Sequence, residues 1–492
     1  MATMAENREE IDEDVIIIGA GAAGIAAFTK LIKYGIDKTR ILEAEDRIGG
    51  RIHSIPLGDA FVDLGAEEVH GEKGNVVVQL AGEYLKKKKA LTESICYFSD
   101  GRKIDQDLSD RVMDLIEDFC EDDSEVKKSI GEVFTDSSIL YASSPMTSIH
   151  FHRFKNVVLK NYENDVDKMN MACSFLPLCE SFFSILEGPY SWFDVILESA
   201  SNYVDCEGDQ FLGWNGRGCQ TILDILMGKN LDFDSSNDEN IGYENKISLN
   251  KAVRKIEWKQ KNRVGIKCWD GSRYRAKHVI FSPSVGMLKE KHGEMFEPNL
   301  PAKKIDVLGK IGFSNVMKVA LKFREKWWNE APIALIWSKD DKEKLEKSWL
   351  TSVYWLMEAP DNTKVLVAWL TGPATPSVEK MSDDEIKNGI MQVINKFLGK
   401  YYNITEPEEI IPTRWHSNPN FRGTYSYETP ETFDLEVPFQ TVLEEPLTNE
   451  NGVPVVLFAG EATHLTQYST VNGAILSGFR EADKIIQMYN KN

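Results

Sequence analysis

Apolar residues at both ends of the chain follow a strand–helix order. Residues 14–18 end in a run of valine and isoleucine, the composition of a buried parallel strand. Apolar positions then recur with helical spacing as far as Gly35, and residues 40–43 predict a second strand. Residues 455–462 and 470–485 repeat the order of strand and helix. The pattern predicts βα units built from both ends of the chain.

The middle of the chain contains both strand-type and helix-type patterns. Residues 247–281 alternate between apolar and polar positions around an Asp270-Gly271 step, which predicts a hairpin. A second alternating block spans 317–370 and is followed by helical spacing. The stretches 81–130 and 150–204 have helical patterns, and we interpret the lysine run at 86–89 as a solvated helix face.

Composition and charge narrow the class of protein. With 492 residues, 42% hydrophobic and 27% charged, the chain is typical of a soluble protein of two domains. The net charge of −20 argues against a nucleic-acid surface and suits a cationic partner, although solubility alone would explain most of these charges. Seven cysteines without a C-x-x-C pair indicate reduced thiols and no metal site.

No targeting or membrane segment is recognisable in the sequence. No apolar run reaches the 18 residues of a membrane span, and the polar N-terminal residues do not read as a signal peptide. The last residues are not a peroxisomal tripeptide. We therefore expect a cytoplasmic protein, and the sequence favours no particular oligomeric state.

Three glycines follow the first strand in the spacing G-x-G-x-x-G, at Gly19, Gly21 and Gly24. In this motif the first glycine permits a tight turn and the second lets the backbone approach a pyrophosphate, while the third allows close packing of helix on strand. The helix that starts near Ala23 directs its N–H groups at the phosphates. Glu43 lies 19 residues past Gly24, where an acid binds ribose hydroxyls. The motif predicts a dinucleotide site.

A second glycine pair and an arginine, Gly49-Gly50-Arg51, extend the motif, and the chain has a glycine–acid turn at Gly460-Glu461. Together these features resemble the FAD signature of flavoproteins with two dinucleotide-type domains. Over nearly its full length the chain resembles the flavin-containing amine oxidases, in particular the animal polyamine oxidase branch of spermine and N-acetylpolyamine oxidases. The other segments that carry the resemblance are 281–289, 315–323, 414–415, 423–427 and 460–482.

The resemblance implies an α/β fold: a two-domain flavoprotein with a Rossmann-like FAD-binding domain and a mixed α+β substrate domain. The FAD-binding domain is expected over 1–80, 205–300 and 405–492, and the substrate-binding domain over 81–204 and 301–404. The residues that the resemblance implies for FAD binding are Gly19, Gly21, Ala23, Gly24, Glu43, Arg51, Val253, Trp415, Gly460, Glu461, Thr470 and Val471.

The activity implied by the resemblance is oxidation of a C–H bond beside an amine nitrogen. A hydride passes to the flavin, water hydrolyses the imine, and O2 is reduced to hydrogen peroxide. Lys318 aligns with a lysine that holds a water near the flavin, although a snorkelling surface lysine remains the alternative. Tyr425 aligns with an aromatic residue facing the flavin, and an ordinary core tyrosine is its alternative. His70 and Thr470 complete the implied catalytic set.

Two positions distinguish branches of the family. Thr424 stands where monoamine oxidases carry the cysteine that tethers FAD, and a threonine forms no thioether, so the resemblance implies non-covalent FAD. Ser469-Thr470 stands where other branches place a second aromatic residue. This pair favours a polyamine over an aryl-alkyl amine.

One segment departs from the family pattern. After Leu64-Gly65-Ala66 the chain has Glu67, Glu68 and Val69 where polyamine oxidases have an aromatic segment, and then keeps His70. The two carboxylates are expected either to bind a cationic amine together with His70 or to be solvated loop acids. Glu207, in the acidic stretch 205–209, is a further candidate for substrate binding, with a solvated loop acid as the simpler interpretation.

Two alternatives stay open beside a polyamine oxidase. One is an amine oxidase of the same fold that acts on another amine, such as an amino acid or methylated lysine. The other is a catalytically weak FAD-binding protein with a binding or regulatory role, an alternative that rests on the altered segment 67–69.

Overall fold

The computed structural model describes residues 10–58, 60–89, 93–111, 129–130, 174–196, 201–229, 231, 243–260, 263–359 and 364–490. Much of the two predicted helical stretches, at 112–128, 150–173 and 197–200, lies outside the described residues. In the described part of the chain, no helix combines the length and apolar character of a membrane span.

The strands of the described residues are β1 Ile11–Ile18, β2 Thr39–Leu42, β3 Ser54–Leu57, β4 Ala60–Asp63, β5 Lys86–Lys87, β6 Ile95–Phe98, β7 Leu212–Gly213, β8 Ile247–Ser248, β9 Val253–Glu257, β10 Val264–Cys268, β11 Arg273–Phe281, β12 Phe296–Glu297, β13 Gly312–Phe313, β14 Met317–Lys322, β15 Ile333–Ile336, β16 Val353–Glu358, β17 Val365–Leu370, β18 Glu409–Pro412, β19 Ser426–Tyr427, β20 Leu447–Thr448 and β21 Pro454–Phe458. The helices are α1 Ala22–Lys33, α2 Val76–Ala81, α3 Leu176–Leu186, α4 Thr221–Leu226, α5 Val285–Met295, α6 Ala302–Lys310, α7 Lys339–Glu343, α8 Thr375–Val378, α9 Asp383–Leu398, α10 Pro430–Phe433, α11 Phe439–Glu444 and α12 Val471–Asn490.

The larger sheet is built from both ends of the chain. Strand β1 lies between β2 and β11 and runs parallel to both, and β21 runs parallel to the end of β11. The β1–α1–β2 unit is the predicted parallel crossover, and its strand is fully buried at residues 15–17. The predicted hairpin at Asp270-Gly271 is confirmed as the antiparallel pair β10–β11.

Helices α1 and α12 pack together against this sheet, although they lie at opposite ends of the sequence. A side chain at Gly478 would place its Cβ atom 2.2 Å from the carbonyl oxygen of Ala23, so glycine permits this close approach. The C-terminal helix is thereby held beside the glycine-rich loop.

The second sheet has six strands in the order β18-β14-β17-β16-β15-β6. Every residue of β17 is buried, and five of the six residues of β14 are, so both strands are covered on their two faces. Apolar clusters fill both faces of this sheet, and α9 packs on one of them with Ile386, Ile390 and Phe397. One strand of this sheet, β18, lies a few residues beyond the position at which we drew the return to the FAD-binding domain; the domain boundaries stay a prediction.

Candidate active site

The loop that contains Gly19, Gly21 and Gly24 forms a cradle in which the backbone conformation at Gly19 and a close backbone contact at Gly24 favour glycine. Gly19 directly follows β1 and has a φ of +98°, in the region that favours glycine. A Cβ atom on Gly24 would lie 1.9 Å from the carbonyl oxygen of Gly19. Gly21 precedes the first turn of α1 with extended backbone, so the first N–H groups of the helix face this loop. The geometry fits a pyrophosphate at the helix start.

Glu43 lies next to this cradle, at the end of β2. Its Oε2 atom accepts a hydrogen bond from the N–H of Ala20 at 2.6 Å, and its Oε1 atom accepts one from Glu45 at 2.8 Å. Burial raises the pKa of the Glu43 carboxyl above its ordinary value, against these two hydrogen bonds. The N–H of Lys251 donates to the Glu43 carbonyl, which brings the start of β9 at Val253 towards the same edge of the sheet.

An ion pair joins the two ends of the chain. Arg51 donates from Nη1 to Glu461 Oε1 at 2.9 Å and to the carbonyl oxygen of Thr424 at 2.6 Å. The other oxygen of Glu461 accepts from Ser426 Oγ at 2.6 Å and from the N–H of Ser469 at 2.9 Å. The glycine–acid turn after β21 thus lies against Arg51, which follows the second glycine pair.

The start of α12 lies close to the ion pair of Arg51 and Glu461, and Gly460 directly precedes Glu461. The Thr470 hydroxyl accepts from the N–H of Gly473 at 3.0 Å and donates to the carbonyl of Gln467 at 2.8 Å. Thr470 therefore caps the helix that begins at Val471. Gly460 has a φ of +117°.

Lys318 lies in β14 and is almost fully buried, so the surface-lysine alternative is excluded. Its ammonium group donates to Glu67 Oε2 at 2.7 Å and to the carbonyl oxygens of Gly65 at 3.0 Å and Asp63 at 3.2 Å. The ring centroid of Trp369 lies 4.3 Å from Nζ. Lys318 thus forms hydrogen bonds with the turn that leads from β4 to Glu67, and its ammonium group lies over the ring of Trp369.

Glu67 is shared by two lysines. Lys88 donates to Glu67 Oε1 at 2.6 Å and to Glu68 Oε1 at 3.1 Å. Burial alone would raise the pKa of Glu67, but the charges of Lys318 and Lys88 outweigh it and lower that pKa to about 2. The neighbouring Asp63 carboxyl has its pKa raised to about 6, first by burial and then by the charge of Glu67.

The lysine run at 86–89 is exposed at Lys86, Lys87 and Lys89, as the sequence indicates, but it begins in a strand and not in a helix, and Lys88 is shielded. Lys86 and Lys87 form the short strand β5, and the Lys88 side chain is only 12% exposed. Alternation along a strand turns Lys88 away from its neighbour Lys87, whose side chain is 78% exposed. The charge cluster around Lys318 therefore includes Lys88, a residue that the sequence analysis missed.

Two aromatic residues flank this cluster. The Trp415 indole donates to the carbonyl of Leu64 at 3.1 Å, and a Cβ atom on Gly65 would lie 3.3 Å from the Trp415 ring. The Tyr425 hydroxyl donates to the carbonyl of Ile185. Burial raises the pKa of Tyr425, and the charges of Glu187 and Glu68 raise it further, so the phenol stays neutral.

His70 and Glu207 differ in their surroundings. His70 is half-buried, and its Nδ1 atom lies 2.7 Å from the carbonyl of Gln210, so Nδ1 carries the proton and Nε2 is the acceptor in the neutral ring. Glu207 forms an ion pair with Lys73 in which both side chains are 76% exposed. The simpler interpretation of Glu207, a solvated loop acid, fits this exposure.

Taken together, the fold and the glycine cradle define a dinucleotide-binding protein with two large sheets and a buried lysine that contacts the turn 63–67. The chain belongs to the family of flavin containing amine oxidoreductases, whose match covers residues 22–486. This confirms the predicted fold class, the flavin cofactor as FAD and the enzyme class of an amine oxidase.

Relatives agree with this membership. The chain is 28% identical to the human peroxisomal N(1)-acetyl-spermine/spermidine oxidase, over 96% of this chain and 95% of the relative. It is 26% identical to probable polyamine oxidase 5 of Arabidopsis thaliana, over 97% and 99%. A solved structure of putrescine oxidase bound to putrescine has a TM-score of 0.63 at 19% identity and covers 97% of this chain and 100% of that one. The predicted family resemblance is confirmed.

Proposed function

We propose that the protein is an oxidase that uses non-covalent FAD to oxidise a polyamine such as spermine, spermidine or an acetylated derivative, with O2 reduced to hydrogen peroxide. The observation that carries this proposal is the buried Lys318, whose ammonium group contacts the turn 63–67 after β4. The similarity to polyamine oxidases over nearly the whole chain supports the choice of substrate class.

The bound FAD would supply the electron acceptor, taking a hydride from the amine and passing electrons to O2. We assign its phosphates to the cradle of Gly19, Gly21, Ala23 and Gly24 and its ribose to Glu43. The remaining residues that we assign to FAD contact are Arg51, Val253, Trp415, Gly460, Glu461, Thr470 and Val471. For Thr470 the support is indirect, because its hydroxyl caps α12 and orients the helix start.

The substrate cation is assigned to the face formed by Glu68, His70 and Tyr425. Glu68 carries charge near the Tyr425 ring, and the acceptor Nε2 of His70 offers a hydrogen bond to an ammonium group. Glu67 is a poorer candidate for substrate binding than the sequence indicated, because both of its oxygens already face lysines. Glu207 is also a poor candidate, since an exposed ion pair contributes little.

Lys318 is proposed as a catalytic residue, because its charge is buried and held against the turn 63–67. A fixed charge in such surroundings acts more strongly than the same charge in water. A cytoplasmic location is proposed as well, and the free thiols of the cysteines among the described residues support a reducing compartment.

Acid precipitation of the purified protein should release its FAD into the supernatant. The Thr424 hydroxyl, at the position of the tether, donates to the carbonyl of Ser314 at 3.2 Å and has no chemistry for a thioether. Absorbance and mass spectrometry of the two fractions measure the partition. Flavin that remains with the precipitated chain would contradict non-covalent binding.

Polyamines should be oxidised with a higher kcat/KM than benzylamine or phenethylamine, and the advantage should shrink as salt is added. The net charge of −20 steers a polycation more strongly than a monoamine, and steering falls steeply with ionic strength. Peroxide release is measured across spermine, spermidine, acetylated polyamines and the two arylamines at 20 and 300 mM salt.

A matched variant separates local charge from overall charge. Glu68→Gln should raise the KM for a polyamine more than for benzylamine, whereas Glu207→Gln, on the exposed ion pair, should change neither. If the parent protein oxidises the arylamines faster than the polyamines, the proposed polyamine substrate is wrong and an amine oxidase that acts on another amine is favoured. Flavin that no amine reduces would favour the catalytically weak FAD-binding protein.

A further inference from the structure

All three N–H bonds of the Lys318 ammonium group have protein acceptors. An ammonium has three donors and no acceptor. In this chain the acceptors are Glu67 Oε2 at 2.7 Å and the carbonyl oxygens of Gly65 and Asp63 at 3.0 and 3.2 Å. A water held by Lys318 would have to displace one of them. The geometry therefore fits a lysine that acts by its charge rather than by holding a water.

Glu67 is fixed on its other side. Lys88 donates to Glu67 at 2.6 Å and to Glu68 at 3.1 Å, so the carboxylate lies between two ammonium groups. The side chains of Lys318, Glu67 and Lys88 are 7%, 10% and 12% exposed. Pairs this well shielded from water interact far more strongly than surface pairs.

We propose that Glu67, clamped by Lys88, is a positioning residue that keeps Lys318 protonated and its donors occupied, so that Lys318 serves as a fixed cation of the active site. The claim that this cation acts in catalysis rests on the proposed function. The claim that Glu67 holds the proton on Lys318 does not depend on any activity.

The proposal predicts a particular dependence on pH. Burial favours the neutral form of a lysine, and a carboxylate in contact opposes that effect. Five titratable groups face Lys318 or its partner. They are Glu67 in direct contact, Asp63 and Cys219 by electrostatic interaction, and Lys88 and Glu68 through Glu67. Of these, Glu67 is the carboxylate in direct contact with the ammonium, and it is therefore the charge that the first experiment removes.

The first experiment compares thermal unfolding of the parent, Glu67→Gln and Glu67→Gln/Lys318→Met between pH 6 and pH 10. Without the carboxylate, the folded-state pKa of Lys318 should fall below the unfolded value of about 10.4. The unfolded state then binds more protons, so stability rises with pH. We expect the Tm deficit of Glu67→Gln relative to the parent to shrink by about 3–5 °C as the pH rises. In the double variant that shrinkage should be absent.

Two control variants share the cluster without removing the contact. Glu68→Gln weakens the clamp on Lys88, and Lys88→Met removes it, but both leave the carboxylate on Lys318. Neither variant should show a Tm deficit that shrinks as the pH rises from 6 to 10. A Glu67→Gln deficit that is constant from pH 6 to pH 10, or one that persists unchanged in the double variant, would overturn the proposal.

Should Glu67→Gln fail to fold, Lys318→Met gives an independent test of the same pair. Glu67 has a depressed pKa in the folded state, so its contribution to stability is lost as pH falls through that pKa. Removing Lys318 removes one of the two charges that depress it, and the midpoint of acid unfolding should rise by about one pH unit relative to the parent. An unchanged midpoint would contradict the coupling.

A kinetic measurement links the pair to the proposed function. In Glu67→Gln, the rate of flavin reduction by a polyamine should acquire a new ionisation between about pH 7 and pH 9, as Lys318 loses its proton. A parent profile that already contains this ionisation would overturn the fixed-cation role. If the parent oxidises no amine, the proposed function fails, while the unfolding measurements still decide whether Glu67 protonates Lys318.

Discussion

Replacing Lys318 with methionine should slow reduction of the flavin by an amine about 10²–10⁴-fold while the flavin stays bound. The buried ammonium is held at 2.7 Å from Glu67 and 3.0 Å from the carbonyl of Gly65. Methionine has a similar length without the charge, so the substitution removes the cation and leaves the apolar stem. Anaerobic stopped-flow absorbance measures the reductive step, and flavin content per chain is measured in the same preparation.

Lys322→Met is the matched control for this prediction. Lys322 lies on the same strand, four residues on, and pairs loosely with Glu409 at 3.5 Å near the surface. It should reduce its flavin at the parent rate. Equal reduction and reoxidation rates in Lys318→Met and the parent would remove Lys318 from the catalytic assignment, and loss of flavin from Lys318→Met would instead indicate a role in cofactor binding.

Local pattern was sufficient to predict the elements that build the cofactor side of the site. The apolar run before Gly19 predicts a buried strand followed by a tight turn, and the structure has β1 and α1 there. The Asp270-Gly271 step lies between two alternating runs, and it forms the hairpin. These features depend on residues close in sequence, where periodicity and turn chemistry carry the information.

The charge cluster was not predictable in the same way. Glu67 and Lys318 are 251 residues apart, and the partner Lys88 stands in a run of four lysines that looks uniform. Only the pairing of β5 with β7 turns Lys88 inward. The sequence did carry one usable signal, a pair of carboxylates at 67–68 where the family has an aromatic segment, because buried acids require buried cations.

Thr470 illustrates a second limit of predicting site residues from the sequence. Its alignment with the second aromatic residue of other branches indicated a contact with the flavin or substrate, whereas its hydroxyl is engaged with Gln467 and Gly473 at the start of α12. A threonine just before a helix is a frequent cap, so the local signal for this arrangement was present in the sequence. A capping role and a position at the rim of the site are compatible, and the catalytic assignment of Thr470 stays a prediction.

Replacing Gly24 with alanine should weaken FAD binding at least tenfold and destabilise the fold. The added Cβ atom would lie 1.9 Å from the carbonyl oxygen of Gly19 and 3.3 Å from the side chain of Ile17. The first of these is backbone and cannot rotate aside, so α1 must move away from β1 and carry its N–H groups off the phosphate position. We expect a loss of about 3 kcal/mol in unfolding free energy and at least a tenfold weaker affinity for FAD, measured by denaturation and by flavin titration of the apoprotein.

Gly293→Ala is the matched control, because it makes the same chemical change inside another helix. Gly293 lies in α5, and a Cβ atom there would meet nothing within 4 Å. Alanine has the higher helix propensity, so this variant should gain up to about 1 kcal/mol and bind FAD as the parent does. The difference between the two variants in stability and FAD affinity measures the effect of the close contact at Gly24 separately from the general effect of adding a methyl group. Parent-like FAD affinity in Gly24→Ala would mean that the loop and helix shift without cost, and the cradle would lose its role in cofactor binding.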